Sequence, residues 1–336
     1  MNKVGATERS NKEENITIND DVKDNTGKHT PPKSDRILTN KRKSSLTSAL
    51  FVLPYLIMFL SFLMVPLIYG IYISFHDWDL LSDEHPFIGL KNYIEIFKPK
   101  SALNSLFFEG LWNTLQFVIY SVPLLVIVGL GLALLLNGLP AKIRGVFRTV
   151  YFIPYSISVS VIAIIWLWML DTNSGLINNY LIKLGFNPVP WLTSMPYAWI
   201  SLVAATLWWT IGFNMIIFIN ALNEVPEELY EAGAIDGASA WNKFVHITLP
   251  SIRPIMLFVI ITSTIASFNI YGQPYLMTRG GPGNSTEVLL MGIVEQAFDQ
   301  RQLGSASAMA IVMALIMVTI SIVQFKLSNS KKKGEV

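Results

Sequence analysis

Hydrophobic positions in this chain fall into six long blocks, and the polar positions gather between them. Charge-free runs occupy Ser44–His76, Gly110–Ala141, Thr149–Leu170, Leu184–Asn223, Pro254–Thr278 and Gln302–Phe325. Each can supply the roughly 20-residue helix that crosses a hydrocarbon core. One Asp or Lys at a helix centre costs about 2.5–3.5 kcal/mol on insertion scales, so six clean runs point to a bilayer rather than to a large soluble core. The pattern predicts an all-α integral membrane protein with six transmembrane helices, at about 48–75, 111–137, 149–170, 197–221, 254–277 and 305–326. A polar tail over 1–44 has no helical periodicity and is expected to be disordered. The membrane domain follows over 45–327, and a basic tail over 328–336.

Charge changes the picture by its placement. Only 14% of residues are charged, against about 25% in ordinary soluble proteins. Lys41, Arg42 and Lys43, then Lys142, Arg144 and Arg148, then Lys243 and Arg253, and finally Lys331, Lys332 and Lys333 fall on one side of the expected topology. The opposite loops are poorer in basic residues. The positive-inside rule therefore places both termini and the loop over 222–252 in the cytoplasm of a multi-pass cell-membrane protein. No apolar segment follows Met1-Asn2-Lys3, so the start is not read as a cleavable signal peptide. The sequence holds no cysteine, which excludes disulfides, thiolate metal sites and cysteine nucleophiles. No cofactor, metal or nucleic-acid motif is found.

The loop over 222–252 is short, charged and rich in small residues. Pro226 suits the first turn of a helix, where its missing N–H costs nothing, and Glu227 and Glu228 favour the positive end of the helix dipole. That helix is expected to stop at Asp236-Gly237, because Gly tolerates a left-handed helix end. Ser239 can cap a second helix, expected to close at Pro250. Two helices joined at a Gly make a compact knob. Ala232, Gly233, Ala234 and Ala238 let another surface come close, and Glu231 can accept hydrogen bonds that fix the knob or its partner. The residues alone fit an ordinary connection equally well.

The string Glu231-Ala232-Gly233, three residues, Gly237, nine residues, Ile247-x-Leu249-Pro250 resembles the EAA loop of ABC-importer permeases. Gly233 stands where the third small residue is usually Ala. Phe51-Val52-Leu53-Pro54-Tyr55, Gly89-Leu90-Lys91-Asn92-Tyr93 and Gly280-Gly281-Pro282-Gly283-Asn284-Ser285-Thr286 are similar to the sugar-type branch of that family, the maltose and glycerol-phosphate permeases. The resemblance covers about residues 50–327. It implies the type I permease fold, with Glu231, Ala232, Gly233, Asp236, Gly237, Ile247, Leu249 and Pro250 forming the loop that couples to cytoplasmic ABC ATPase subunits. It also implies a second permease subunit, a different chain, and an extracytoplasmic solute-binding protein that delivers a sugar or oligosaccharide.

Polar residues within spans are costly and usually face the bundle interior. Span four offers Thr206, Thr210, Asn214 and Asn220. Span five offers Thr262, Ser263, Thr264, Ser267, Asn269, Tyr271 and Gln273. Ser263, Ser267 and Tyr271 are four apart and are expected on one helix face. Asn214, Ser263, Ser267 and Asn269 are the candidates for a solute path, although such residues also serve as helix glue. These spans supply hydroxyls, amides and rings without a charged group, which suits a neutral solute better than a phosphorylated one; a permease for another solute, such as glycerol-3-phosphate or a polyamine, is the alternative within transport. Gly27-Lys28-His29-Thr30 fails as a nucleotide loop, since His29 occupies the Ser/Thr place. The four histidines have no ligand-like spacing, and no span carries paired carboxylates for a proton relay. A stand-alone channel or membrane transferase is the rival class.

Overall fold

The computed structural model describes residues 50–330. The tail expected over 1–44 lies outside them, as does most of the one over 328–336. The described residues form helices joined by turns and loops, with isolated bridges between His76 and Phe87 and between Asp79 and Gln302. Among the described residues, five helices are long and apolar enough to cross a bilayer, or six when one bent pair counts as a single span. The chain divides into two units at Val65 and Pro66. In chain order the long helices are α1 (Leu50–Ser74), α3 (Ala102–Asn137), the bent pair α4 (Ala141–Phe152) and α5 (Val159–Met169), α7 (Tyr197–Asn223), α9 (Ala240–Phe268) and α11 (Leu303–Ser330). Shorter ones are α2 (Lys91–Phe97), α6 (Leu176–Lys183), α8 (Glu227–Ile235) and α10 (Leu289–Val294).

Three differences from the sequence pattern have physical causes. Helix α3 begins at Ala102, well before residue 111, because Ser101 caps it by accepting from the Asn104 amide. Hydropathy marks the bilayer, whereas a cap marks the helix. The run at 149–170 is not one straight helix: Pro154 sits in a short tight turn, and the axis bends by 99° before Val159. Finally, α9 does not close at Pro250. A single widened turn at Phe244–Thr248 precedes Leu249 and Pro250, and the helix runs through both Pro250 and Pro254 to Phe268. Such a turn re-registers the backbone ladder, and prolines are tolerated in membrane helices where it is locally re-satisfied.

Apolar burial cannot hold membrane helices together, since lipid is as apolar as Leu; close packing must. Helices α3 and α7 meet along small residues, and a Cβ at Gly129 would sit 3.2 Å from Asn214 Cβ. Below that contact, Leu130, Ala133 and Leu136 of α3 pack with Met215, Phe218 and Leu222 of α7 and Ile252 of α9. Helix ends are closed by bases: Arg144 donates to the Asn137 and Leu139 carbonyls at 3.0 and 3.2 Å, and Arg253 donates to Ser328 O at 2.7 Å. Asn137 and Ser328 lie in the last turns of α3 and α11, where a helix leaves carbonyls open and positive charge is favoured.

The loop after α5 is built around Asn178, which is fully buried. Its amide donates to the Thr172 and Val189 carbonyls, and its oxygen accepts from Val189 N and Trp191 Nε1, all at 2.8–3.0 Å. One side chain thus fixes an otherwise irregular segment.

Candidate functional site: an uncharged cavity above a polar knob

A cavity of about 400 Å³ opens where α3, α7, α9 and the α4–α5 bend converge. None of its lining residues carries a formal charge. Its polar wall is made by Thr206, Thr210, Asn214, Ser263, Ser267 and Gln273, and its rings by Phe117, Tyr155, Trp209, Phe213 and Tyr271. The volume lies within the range of about 300–1,000 Å³ usual for small-ligand pockets.

The polar groups are held by one another. Asn214 Nδ2 donates to Ser263 Oγ at 3.3 Å, and Ser267 Oγ lies 3.1 Å from Ser121 Oγ of α3. Thr206 and Thr210 each bond back to a carbonyl four residues earlier at 2.8 Å. Trp209 Nε1 donates to Ile157 O at 3.1 Å, and Tyr155 stacks on Phe213 with ring centroids 5.0 Å apart. These two contacts tie α7 to the bend. Gly212 permits them, because a Cβ there would meet the carbonyl group of Tyr151 at 2.5 Å from its carbon.

The structure brings Asn214, Ser263 and Ser267 together in this wall, each more than nine-tenths buried. Asn269 lies at the cavity edge and is exposed, with its amide turned to Ile265 O at 2.8 Å and Met317 Sδ at 3.6 Å. Helix α9 ends at Phe268, so Tyr271 does not share a helical face with Ser263 and Ser267; it reaches the cavity from the break that follows. Thr264 points elsewhere, accepting from Gln324 Nε2 at 3.0 Å, and Asn220 is exposed. Sequence reading missed Ser121, Tyr155, Trp209 and Phe213. A lone Ser in an apolar run gives no signal, and the three rings become cavity residues only through the bend.

Tyr271 also lines a second cavity of about 630 Å³, with Tyr275, Arg279, Glu287, Glu295 and Asp299. Burial pushes the Glu287 carboxyl above its ordinary range, and the like charges of Glu295 and Glu109 push it further the same way.

At the opposite end, α8 and the start of α9 form the knob. Gly237 adopts φ 73°, and Ala238 N donates to Gly233 O at 2.8 Å while Gly237 N donates to Ala234 O at 3.1 Å. That pair of bonds is a Schellman closure, which needs the left-handed residue that Gly supplies. Ser239 caps α9 by accepting from Asn242 N at 3.2 Å, and Tyr230 Oη lies 2.9 Å from Thr248 Oγ1. A Cβ on Gly233 would stand 3.0 Å from Ile247 Cδ1, so the two helices touch there. Leu249 faces the lower core, while Pro250 is exposed. Glu231, Ala232 and Asp236 are also exposed, and no side-chain hydrogen bond of Glu231 exists among the described residues. Ile235 and Trp241 are exposed beside them, at 87% and 69%.

A multi-pass helical bundle with an uncharged polar cavity and a polar knob is the architecture of a membrane permease. The chain matches the family described as "Binding-protein-dependent transport system inner membrane component" over residues 125–333, and it belongs to that family. It is 33% identical to the probable ABC transporter permease protein YurN of Bacillus subtilis, over 84% of this chain and 96% of that one. It is 33% identical to the arabinooligosaccharides transport system permease protein AraP of Bacillus subtilis, over 84% and 88%. The trehalose/maltose transport system permease protein MalF of Thermococcus litoralis is 32% identical, over 89% and 99%. In fold, the chain is similar to a bacterial ABC transporter that imports alginate, with a TM-score of 0.74 at 24% identity, over 88% of this chain and 99% of that one.

Proposed function

We propose that this chain forms part of the path by which an ABC importer carries a sugar or oligosaccharide across the membrane. The observation that carries this reading is the chemistry of the inner cavity: hydroxyls, amides and aromatic faces without a formal charge. A neutral saccharide offers matching hydroxyls and apolar ring faces, and a desolvated charge would find no partner there. The relatives named for arabinooligosaccharides and for trehalose and maltose support the same solute class. Asn214, Ser263 and Ser267 contact the solute, with Asn269 at the edge.

The knob residues Glu231, Ala232, Gly233, Asp236, Gly237, Ile247, Leu249 and Pro250 form the handle for a separate cytoplasmic ATPase. By the charge distribution, the knob and both termini face the cytoplasm. A second permease chain completes the path, and an extracytoplasmic binding protein delivers solute to the outer loops. Helix α9 gives the coupling a physical route. It starts inside the knob at Ala240 and places Ser263 in the cavity wall about 35 Å away at 1.5 Å per residue. A push on the knob therefore moves the cavity wall through a single rod.

Uptake of labelled saccharides by a strain deleted for this chain tests the reading. Loss of one neutral saccharide, restored by the wild-type chain, is the expected result. Loss of glycerol-3-phosphate or spermidine uptake with every saccharide unaffected refutes it.

A further inference from the structure

A groove of about 410 Å³ runs along the outside of the α4–α5 bend, lined by Gly145, Arg148, Thr149, Phe152, Ile153, Ser156 and Ile216. It combines one guanidinium and hydroxyls with apolar walls. Arg148 is half-buried, and no ion pair of its guanidinium exists among the described residues. Its neighbour Arg144 differs, being committed to the α3 carbonyls. Thr149 Oγ1 is turned back to Gly145 O at 3.1 Å, so Arg148 and Ser156 are the polar groups left to face an occupant. A Cβ on Gly145 would meet nothing within 4 Å, which leaves the floor open.

The groove lies at the knob end of the bundle. Helix α4 follows a short turn from Asn137, and Ile216 stands about two turns before α7 ends at Asn223. Exposed Ile143, Val146, Phe147, Val150 and Ile153 recur at spacings of three and four along α4 and its extension. They give the basic segment one continuous apolar stripe. A basic amphipathic helix of this kind lies at a membrane interface, with its apolar face in the acyl region.

We propose that this groove seats an anionic phospholipid of the surrounding leaflet. Arg148 and Ser156 hold the phosphate, and the acyl chain runs over Phe152, Ile153 and Ile216. Arg suits this role because its planar fork matches phosphate oxygens. The seat lies against the bend whose Tyr155 and Val159 line the inner cavity. A lipid wedged there supports the angle that shapes the solute path, whichever solute is carried.

The test is lipid retention by the complete transporter reconstituted in nanodiscs of equimolar phosphatidylglycerol and phosphatidylcholine, then counted by native mass spectrometry. Wild type is expected to retain phosphatidylglycerol over phosphatidylcholine by about fivefold, the equivalent of about 1 kcal/mol for one basic residue at an anionic surface. Arg148→Gln removes the preference, Arg148→Lys keeps most of it, and Lys142→Gln leaves it unchanged. Ile216→Trp, which fills the groove without touching the charge, also removes it. Equal retention of the two lipids by wild type, or an undiminished preference in both Arg148→Gln and Ile216→Trp, overturns the proposal. So does a photoreactive residue at position 149 that captures another protein subunit in place of phospholipid.

Discussion

Gly212 stands where α7 touches the α4–α5 bend, and Gly212→Ala probes whether that contact shapes the cavity. The added Cβ would lie 2.5 Å from Tyr151 C and 2.8 Å from Phe152 Cα, with the Tyr151 oxygen nearer still. Carbon contacts settle at about 3.5–4.0 Å, so the seam must open by about 1 Å against backbone that cannot rotate away. Overpacking of this kind costs about 1–3 kcal/mol. The hydrogen bond from Trp209 to Ile157 O crosses the same seam, and its loss adds about 1 kcal/mol. Replacing Gly by Ala inside a helix returns about 1 kcal/mol, leaving a net loss of about 1–3 kcal/mol. Gly131→Ala on α3 is the control, because nothing lies within 4 Å of its Cβ position. The assay is thermal unfolding of the purified complex together with solute uptake. Gly212→Ala is expected to melt lower and transport poorly, while Gly131→Ala matches or exceeds wild type. Equal melting and full uptake in both variants refutes the packing account.

Asn178→Ala strips four hydrogen bonds from a buried hub and is expected to cost about 3 kcal/mol as the stranded groups lose their partners, read as a lower melting temperature and faster proteolysis between Asp171 and Trp191. Because burial raises the folded-state pKa of Glu287 above its unfolded value, the folded protein binds more protons there, so this contribution is present at low pH and is lost as pH rises through the raised value. Glu287→Gln is therefore expected to flatten the fall of melting temperature as pH rises from the ordinary carboxylate pKa through the raised value; an unchanged slope contradicts it. Glu231→Lys, or Gly237→Val at its φ of 73°, is expected to abolish uptake while the chain still reaches the membrane, with ATP hydrolysis by the complex no longer raised by solute. Wild-type coupling in both variants removes the knob from the mechanism.

The membrane character was legible because charge is costly in lipid, so six clean runs could hardly mean anything else. The knob's first helix was legible for local reasons: Pro226, the acidic first turn and Gly237 each act within a few residues. The α4–α5 bend was not, since Pro154 alone does not say whether a helix kinks, ends or continues. Pro250 taught the converse, being read as a stop although a widened turn at Phe244–Thr248 carries the helix through it. Ser263 and Asn214 stood out as polar residues in apolar spans, and the structure sets them within 3.3 Å of each other. Tyr155, Trp209 and Phe213 were hidden, because their role depends on a non-local crossing that periodicity does not encode.

The natural absence of cysteine makes the decisive measurement clean. With Thr210→Cys as the sole thiol in this chain, a methanethiosulfonate reagent is applied to the assembled transporter, using partner chains freed of reactive thiols, with and without the transported saccharide. If the uncharged cavity is the solute path, modification stops uptake and the saccharide slows the labelling. Complete labelling that leaves uptake intact, at a rate indifferent to saccharide, places the path elsewhere.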